Sequence, residues 1–163
     1  MEITDTVIDD SAWDGCDIAA IAERAARATL LHLDLDPDAW EIAVLACDDD
    51  RIAALNFEFR GKPTPTNVLS WPSEDRAPDT PGTRPAPPEG PDPELGDIAI
   101  AHGTCVREAA EAEKTLEDHA THLMVHAVLH LLGYDHVDDA DAAVMEALET
   151  VILGKLGLSD PYE

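Results

Sequence analysis

The alternation of apolar and polar positions along the chain divides it into helical and extended segments. Five segments repeat apolar residues at the 3.6-residue period of an α-helix: residues 17–33, 51–60, and, with looser ends, 102–115, 117–132 and 138–156. Asp17 is placed to cap the first of them. Three shorter segments, 40–47, 66–71 and 95–101, instead combine apolar and β-branched residues as strands do.

The order of these segments indicates the fold class, because strands concentrate early and helices late. We predict an α+β fold with a small mixed β-sheet of about four strands, covered by about five helices. A chain of 163 residues with 45% hydrophobic content can bury one core, so residues 1–163 are expected to form a single domain.

One segment does not fit any regular element. Residues 73–94 contain seven of the twelve prolines and almost no large apolar side chain. Such a stretch cannot bury a core of its own. We therefore predict a proline-rich, mobile loop at 73–94.

Charge and composition limit the cellular environments and the binding partners that we expect for the chain. The formal net charge is −25, which disfavours an extended basic surface for nucleic acid but leaves room for a local site. No run of eighteen apolar residues is present, so we expect no membrane span. The chain starts with acidic residues rather than a basic and apolar signal, and its three cysteines, Cys16, Cys47 and Cys105, are widely spaced. We therefore expect a cytoplasmic protein whose cysteines are free thiols that pack in the interior.

Four histidines form a stripe on one predicted helix. His119, His122, His126 and His130 lie at helical spacing on one face, while the other faces are mainly apolar. Since the apolar faces are suited to burial, the histidine face is expected to line a pocket or meet a partner. His122 is suited to a supporting or substrate-facing role, and His119 to a solvated groove.

Two histidines four residues apart on a helix can bind one metal ion, and both His126 with His130 and His122 with His126 meet this condition. A third ligand on the same straight helix would lie too far along the axis. Gly133 can end the helix in a left-handed conformation and return His136 to the site. His126, His130 and His136 then offer three nitrogen donors to Zn²⁺ and leave a fourth position open, as catalytic sites do.

The same spacing occurs in the metzincin peptidases, in which a Glu after the first histidine is the general base. This chain has Ala127 there, and a methyl group cannot accept a proton. A metal-dependent, peptidase-like hydrolase therefore remains as an alternative only if another residue, such as Asp135 or Glu117, serves as the base.

Three motifs together resemble the YbeY family of bacterial endoribonucleases and rRNA maturation factors. They are HAVLHLLGYDH (126–136), LNFEFRGKPTPTNVLSWP (55–72) and ELGDIAIA (94–101), and MEALE (145–149) also fits. The resemblance runs from about residue 40 to about residue 156. It implies an α+β fold, a zinc ion on His126, His130 and His136, and single-strand-specific RNA cleavage in the cytoplasm. The implied role is 3′-end maturation of 16S rRNA and ribosome quality control.

The resemblance also implies partners and a further site residue. Ribosomal RNA and the small ribosomal subunit are the expected partners, with ribosomal proteins and an assembly GTPase as further candidates. Arg60 matches the family's functional arginine, and a guanidinium can hold a phosphate through two parallel hydrogen bonds. Lys62 adds a second positive charge nearby, although the pair could equally form surface salt bridges. Pro63 departs from the family pattern, which has an acidic residue after the lysine.

Two questions remain open at this point. Zinc could activate the attacking water or polarise a phosphoryl oxygen, and the RNA 2′-hydroxyl is an alternative nucleophile. The protein could also be a non-catalytic ribosome-assembly factor in which zinc only braces the fold.

Overall fold

The computed structural model describes residues 2–78, 80–136 and 138–161. Within these ranges one sheet is formed by four strands: β1 (Thr4–Ile8), β2 (Glu41–Cys47), β3 (Val68–Pro72) and β4 (Glu94–Ala101). Around it lie five α-helices: α1 (Ile18–His32), α2 (Asp49–Arg60), α3 (His102–Glu111), α4 (Leu116–Leu131) and α5 (Asp139–Lys155). A short 3-10 helix, Ser11–Gly15, links β1 to α1.

The sheet is mixed, with the strand order β1-β2-β4-β3. β2 lies parallel to both β1 and β4, whereas β3 runs antiparallel to β4 at the far edge. The predicted α+β fold, with a small mixed sheet and five helices, is confirmed. The sequence pattern located three of the four strands, and β1 is the one it did not locate.

The two faces of the sheet are covered unequally, as alternate side chains of β4 show. Ile98 and Ile100 enter the main core, which α1, α4 and α5 build against one face. Ala99 and Ala101 enter a smaller cluster on the other face, to which α2 contributes Ile52. The histidine-bearing helix α4 is therefore packed between the sheet and α5, and the apolar faces predicted for it are buried.

Side-chain caps fix where the helices begin. The Asp17 carboxylate accepts a hydrogen bond from the Ala20 backbone N–H at 3.2 Å, which confirms the predicted cap of α1. Thr115 Oγ1 accepts one from the Asp118 N–H at 3.1 Å at the start of α4. The three cysteines are free thiols, and Cys47 and Cys105 are buried in the packing role expected of them.

The end of α4 is a sharp bend at Gly133. The Tyr134 N–H donates to the Leu129 carbonyl and the Gly133 N–H to the His130 carbonyl, both at 3.1 Å, which is the hydrogen-bond pattern of a Schellman motif. Gly133 has φ +104°, and a Cβ there would collide with the Arg76 carbonyl. The turn predicted at this glycine is present, and it requires glycine for two independent reasons.

Residues 73–93, apart from Asp79, contain no helix or strand. β4 begins at Glu94, so the predicted loop was one residue too long. The Arg76 guanidinium fastens the start of this segment, since Nη1 donates to the carbonyls of Leu95 and Leu131 at 3.1 and 3.0 Å. The predicted mobility of the remainder stays a prediction.

A separate finding concerns membranes. None of the helices in the described part of the chain has the length and apolar character needed to cross a bilayer.

Candidate functional site

One cavity brings together the residues that the sequence singled out. It has a volume of about 410 Å³ and lies between the last turn of α2, the edge strand β3 and the histidine face of α4. Arg60, His126, His130 and His136 all line it, together with His122. Thr66, Asn67, Val68, Ser70 and Leu123 complete the lining.

The orientation of His126 is set by a carboxylate from α5. Glu149 is fully buried, and its Oε1 lies 2.7 Å from Nδ1 of His126. With this carboxylate ionised, it can only accept a hydrogen bond, so the ring proton of His126 would lie on Nδ1 and leave Nε2 with its lone pair. His122 Nε2 meets the second oxygen of the same carboxylate at 2.8 Å. One buried side chain therefore holds two imidazoles of the stripe.

The orientation of His130 is set by the neighbouring strand. Ser70 Oγ of β3 lies 2.6 Å from His130 Nδ1. Burial lowers the pKa of His130 below its ordinary value, and the charge of Arg60 lowers it further, against the opposing effect of Asp135. A histidine with a lowered pKa is neutral near pH 7, which is the form that binds metal ions.

His136 returns to the cavity through the bend at Gly133. Its ring centroid lies 5.1 Å from that of His126, with 39° between the ring planes. Unlike the other two rings, it is exposed. In the described ranges no three His, Cys, Asp or Glu side chains form a ready-made metal-binding group. His126 and His130 are each held by a neighbouring side chain and could bind a metal ion as a pair, and the His136 ring lies beside that of His126.

Arg60 reaches the cavity from the last turn of α2. Gly61 ends that helix with φ +71°, and the Asn56 side-chain amide donates to the Thr64 carbonyl at 2.9 Å. These contacts hold the turn that contains Pro63. Arg60 lines the cavity even though Pro63 replaces the acidic residue of the family pattern. Among the described residues no ion pair of Arg60 or Lys62 is present. Lys62 does not line the cavity.

The cavity differs in charge from the rest of the protein. Of the ten described residues that line it, none is Asp or Glu, although the chain has 35 of these residues. The lining instead contains one guanidinium and four imidazoles. A phosphate would meet the Arg60 guanidinium there and no Asp or Glu among the described lining residues.

Sequence comparison places these features in a family. The sequence model of the family described as Endoribonuclease YbeY matches residues 6–157. The chain belongs to the YbeY family. Relatives carrying that name include a protein of Dinoroseobacter shibae, 65% identical over 95% of this chain and 87% of its own length. Another, from a Jannaschia species, is 59% identical over 99% of this chain and 100% of its own length.

A solved structure shares the fold. The solution structure of a Thermotoga maritima protein superimposes with a TM-score of 0.55 and covers 98% of this chain and 99% of its own. The two sequences are 20% identical. This neighbour therefore supports the fold and no more.

His119 does not occupy the solvated groove that was predicted for it. Its side chain is only 12% exposed, and its Nε2 lies 2.9 Å from Oε1 of Glu108. That carboxylate also accepts a hydrogen bond from Asn67. The prediction was wrong because His119 lies about two turns before His126 on the same face, where α3 with Glu108 covers it instead of the cavity.

The bases proposed for a peptidase lie elsewhere. Asp135 lines a neighbouring cavity on the other side of His130, with Glu74 and Asp75. Glu117 is exposed in the first turn of α4 and lines neither cavity. Ala127, at the position of the peptidase base, is 1% exposed and packs in the core. Among the described residues, neither candidate base therefore lines the cavity that holds the three histidines.

Two residues of the site were missed at the level of sequence. Glu149 was noted only within MEALE, although it shares the apolar stripe of α5 with Met145, Leu148 and Ile152. A carboxylate on an otherwise apolar stripe signals a buried partner and could have been found. Ser70 gave no comparable signal, since a serine in a strand at the sheet edge is common.

Proposed function

We propose that this YbeY-family protein is a zinc-dependent endoribonuclease that cleaves single-stranded RNA. Its proposed cellular task is ribosomal RNA processing in the cytoplasm, at the 3′ end of the small-subunit RNA, and ribosome quality control. The small ribosomal subunit is the proposed partner, with ribosomal proteins and an assembly GTPase as further candidates. The observation that carries the proposal is the shared cavity of Arg60, His126, His130 and His136.

The donor set fits a zinc ion. Zn²⁺ accepts neutral imidazole nitrogens, and a metal-binding histidine commonly donates its other N–H to a carboxylate or hydroxyl that fixes the ring. His126 has such a contact with Glu149, and His130 has one with Ser70. We propose that these two rings and His136 hold the ion, which would supply Lewis acidity toward the scissile phosphodiester.

Arg60 would bind the phosphate in the same cavity. It is exposed, stays charged at any physiological pH, and has no carboxylate partner among the described ion pairs. A guanidinium aimed at a phosphoryl group stabilises the charge that builds there during cleavage. Thr66 and Asn67 add polar groups to the same wall.

The shape of the cavity supports a single strand as substrate. A concave site of about 410 Å³ can admit a short length of unpaired backbone, whereas an A-form duplex is too wide and too stiff to enter it. The −25 net charge opposes broad contact with a polyanion, so recognition has to be local.

The test is cleavage of precursor small-subunit RNA by zinc-loaded and chelator-stripped protein, with the new ends sequenced. We expect new 3′ ends only with zinc. Arg60→Ala should abolish cleavage while zinc content and melting temperature stay unchanged. Arg51→Ala is the matched control, because Arg51 is an exposed arginine of the same helix that does not line the cavity.

Each competing function predicts a different result. If zinc only braces the fold, the wild-type protein shows no metal-dependent cleavage, although zinc still raises its melting temperature. A peptidase would cut an unstructured protein and leave the RNA intact. Equal loss of cleavage in Arg60→Ala and Arg51→Ala would contradict a specific phosphate contact.

A further inference from the structure

We infer that His122 is a positioning residue of this site, acting through Glu149 to hold His126 with Nε2 toward the cavity. The inference rests on the proposed function for its purpose, because orienting His126 matters only if that ring binds an ion. The juxtaposition itself is structural. Two imidazoles of α4, one turn apart, are joined by a single carboxylate of α5.

The contact with His122 matters because Glu149 is buried. Its side chain is 0% exposed, and a buried carboxylate is stable only where donors satisfy its oxygens. Oε2 lies 2.8 Å from Nε2 of His122 and Oε1 lies 2.7 Å from Nδ1 of His126, so each ring can donate an N–H to this carboxylate. Removing the His122 donor leaves the carboxylate less well held, so it can rotate. Rotation weakens its hold on His126.

The consequence for His126 is a change of tautomer. While Glu149 accepts from Nδ1, the proton is kept there and the Nε2 lone pair is available in the cavity. A weaker acceptor at Nδ1 allows the proton to move to Nε2, and a protonated nitrogen cannot bind a metal ion. His122 would therefore control a ligand that it does not touch.

His119 provides an internal comparison on the same helix. Its Nε2 likewise lies beside a carboxylate oxygen, at 2.9 Å from Oε1 of Glu108. Glu108 is 37% exposed and its other described partner is Asn67, so this pair shares no carboxylate with His126. Loss of His119 removes an imidazole, its contact with Glu108 and its edge-on packing against the His122 ring, but neither of the contacts that Glu149 makes with His122 and His126.

Four substitutions separate positioning from general stability. His122→Leu removes the donor, and His122→Asn keeps a polar side chain too short to reach Oε2. His122→Gln places an amide N–H near the position of Nε2 and should restore the contact. His119→Leu is the matched control.

Two measurements apply to each variant, using the full chain. The first is zinc affinity, by competition with a chromophoric chelator. We expect about tenfold weaker binding for His122→Leu and His122→Asn, and wild-type binding for the Gln variant and for His119→Leu. The second is the tautomer of His126 in metal-free protein, read from imidazole ¹⁵N shifts. Wild type should show Nδ1–H, and the Leu and Asn variants a mixture with Nε2–H.

The outcomes are distinguishable from those that test the function. If wild type binds no zinc, the proposed metal site fails, and the tautomer of His126 alone decides whether His122 positions it. Unchanged affinity together with an unchanged tautomer in His122→Asn overturns the inference. So does an equal loss in His119→Leu, which would show a general effect on α4. If His122→Leu does not fold, the comparison of the Asn and Gln variants decides.

Discussion

Glu149 and His126 are joined by a hydrogen bond of 2.7 Å between Oε1 and Nδ1, made by a carboxylate with no exposed surface. Replacing Glu149 with Gln keeps the shape but puts an amide N–H where an acceptor stood. Since His122 and His126 both need an acceptor there, we expect the proposed zinc binding to become about 10- to 100-fold weaker, with RNA cleavage reduced in parallel. Zinc competition and cleavage assays measure the two effects.

The control for this variant lies on the same helix. Glu146→Gln removes one carboxylate from a partly buried position of α5 that contacts neither histidine. It should bind zinc as wild type does. If both variants lose affinity equally, the effect is one of net charge and the orienting role of Glu149 is wrong.

The bend at Gly133 gives a prediction for stability. Ala at this position must adopt φ +104° and displace the Arg76 backbone, so we expect Gly133→Ala to lower the free energy of unfolding by about 1–3 kcal/mol. Gly154→Ala is the opposite case, because Gly154 lies within α5 with open space at the Cβ position. That change should raise stability by about 0.5–1 kcal/mol. Urea unfolding of both variants measures the difference, and destabilisation of equal size would contradict the special role of Gly133.

Glu23 gives a prediction for pH dependence. Burial acts to raise the pKa of its carboxyl, but hydrogen bonds from Thr4 and Ile3 and the charge of Arg27 outweigh it, so the pKa is lowered overall. A carboxyl with a lowered folded-state pKa stabilises the fold above its unfolded value, and this stability is lost as the pH falls through the folded value. We expect Glu23→Gln to cost about 1–2 kcal/mol near pH 7. The difference from wild type should shrink as the pH falls below about 4.3.

Unfolding curves at stepped pH values test this, with Glu41→Gln on an exposed position of β2 as the control. A difference that stays constant down to acid pH would show that the carboxylate charge of Glu23 does not stabilise the attachment of β1 to α1.

The cysteines should differ in reactivity. Burial raises the pKa of Cys47 to about 12, with nearby acids such as Asp48 adding to the effect, and burial also raises the pKa of Cys105. Only the thiolate reacts with alkylating agents, so both should be inert in the native protein near pH 7. Cys16 is only partly buried and should be labelled first. Mass spectrometry of iodoacetamide-treated protein, native and unfolded, measures this, and native labelling of Cys47 at the rate of Cys16 would contradict the buried position.

Periodicity predicted most of the fold because most elements have a clear apolar face. β1 was missed because Thr4–Ile8 mixes polar and apolar residues, and its outer positions, including Val7 and Ile8, are exposed at the sheet edge. Its position in the sheet depends on parallel pairing with β2, which lies far along the chain. Local pattern carries no information about such a pairing. The sequence could not predict that β3 runs antiparallel to β4, because the alternation of side chains along a strand is the same in both directions.

The site shows the same division between local and distant information. The spacing of His126, His130 and His136 around Gly133 is local, and the structure places all three in one cavity. Glu149 and Ser70 come from elements 23 and 60 residues away in sequence, and only the packing of α5 and β3 against α4 brings them to the rings. Spacing along one helix can therefore propose ligands, but it cannot identify what orients them.

The contrast between the acidic protein surface and a cavity wall without carboxylates affects the rate at which RNA associates with the site. At long range the protein presents a strong negative potential, and attraction begins only when a phosphate is close to Arg60. Dissolved salt screens the distant repulsion more than the short contact. Productive encounters with RNA should therefore become faster as ionic strength rises from low values, the reverse of the behaviour of proteins that approach nucleic acid with a basic surface.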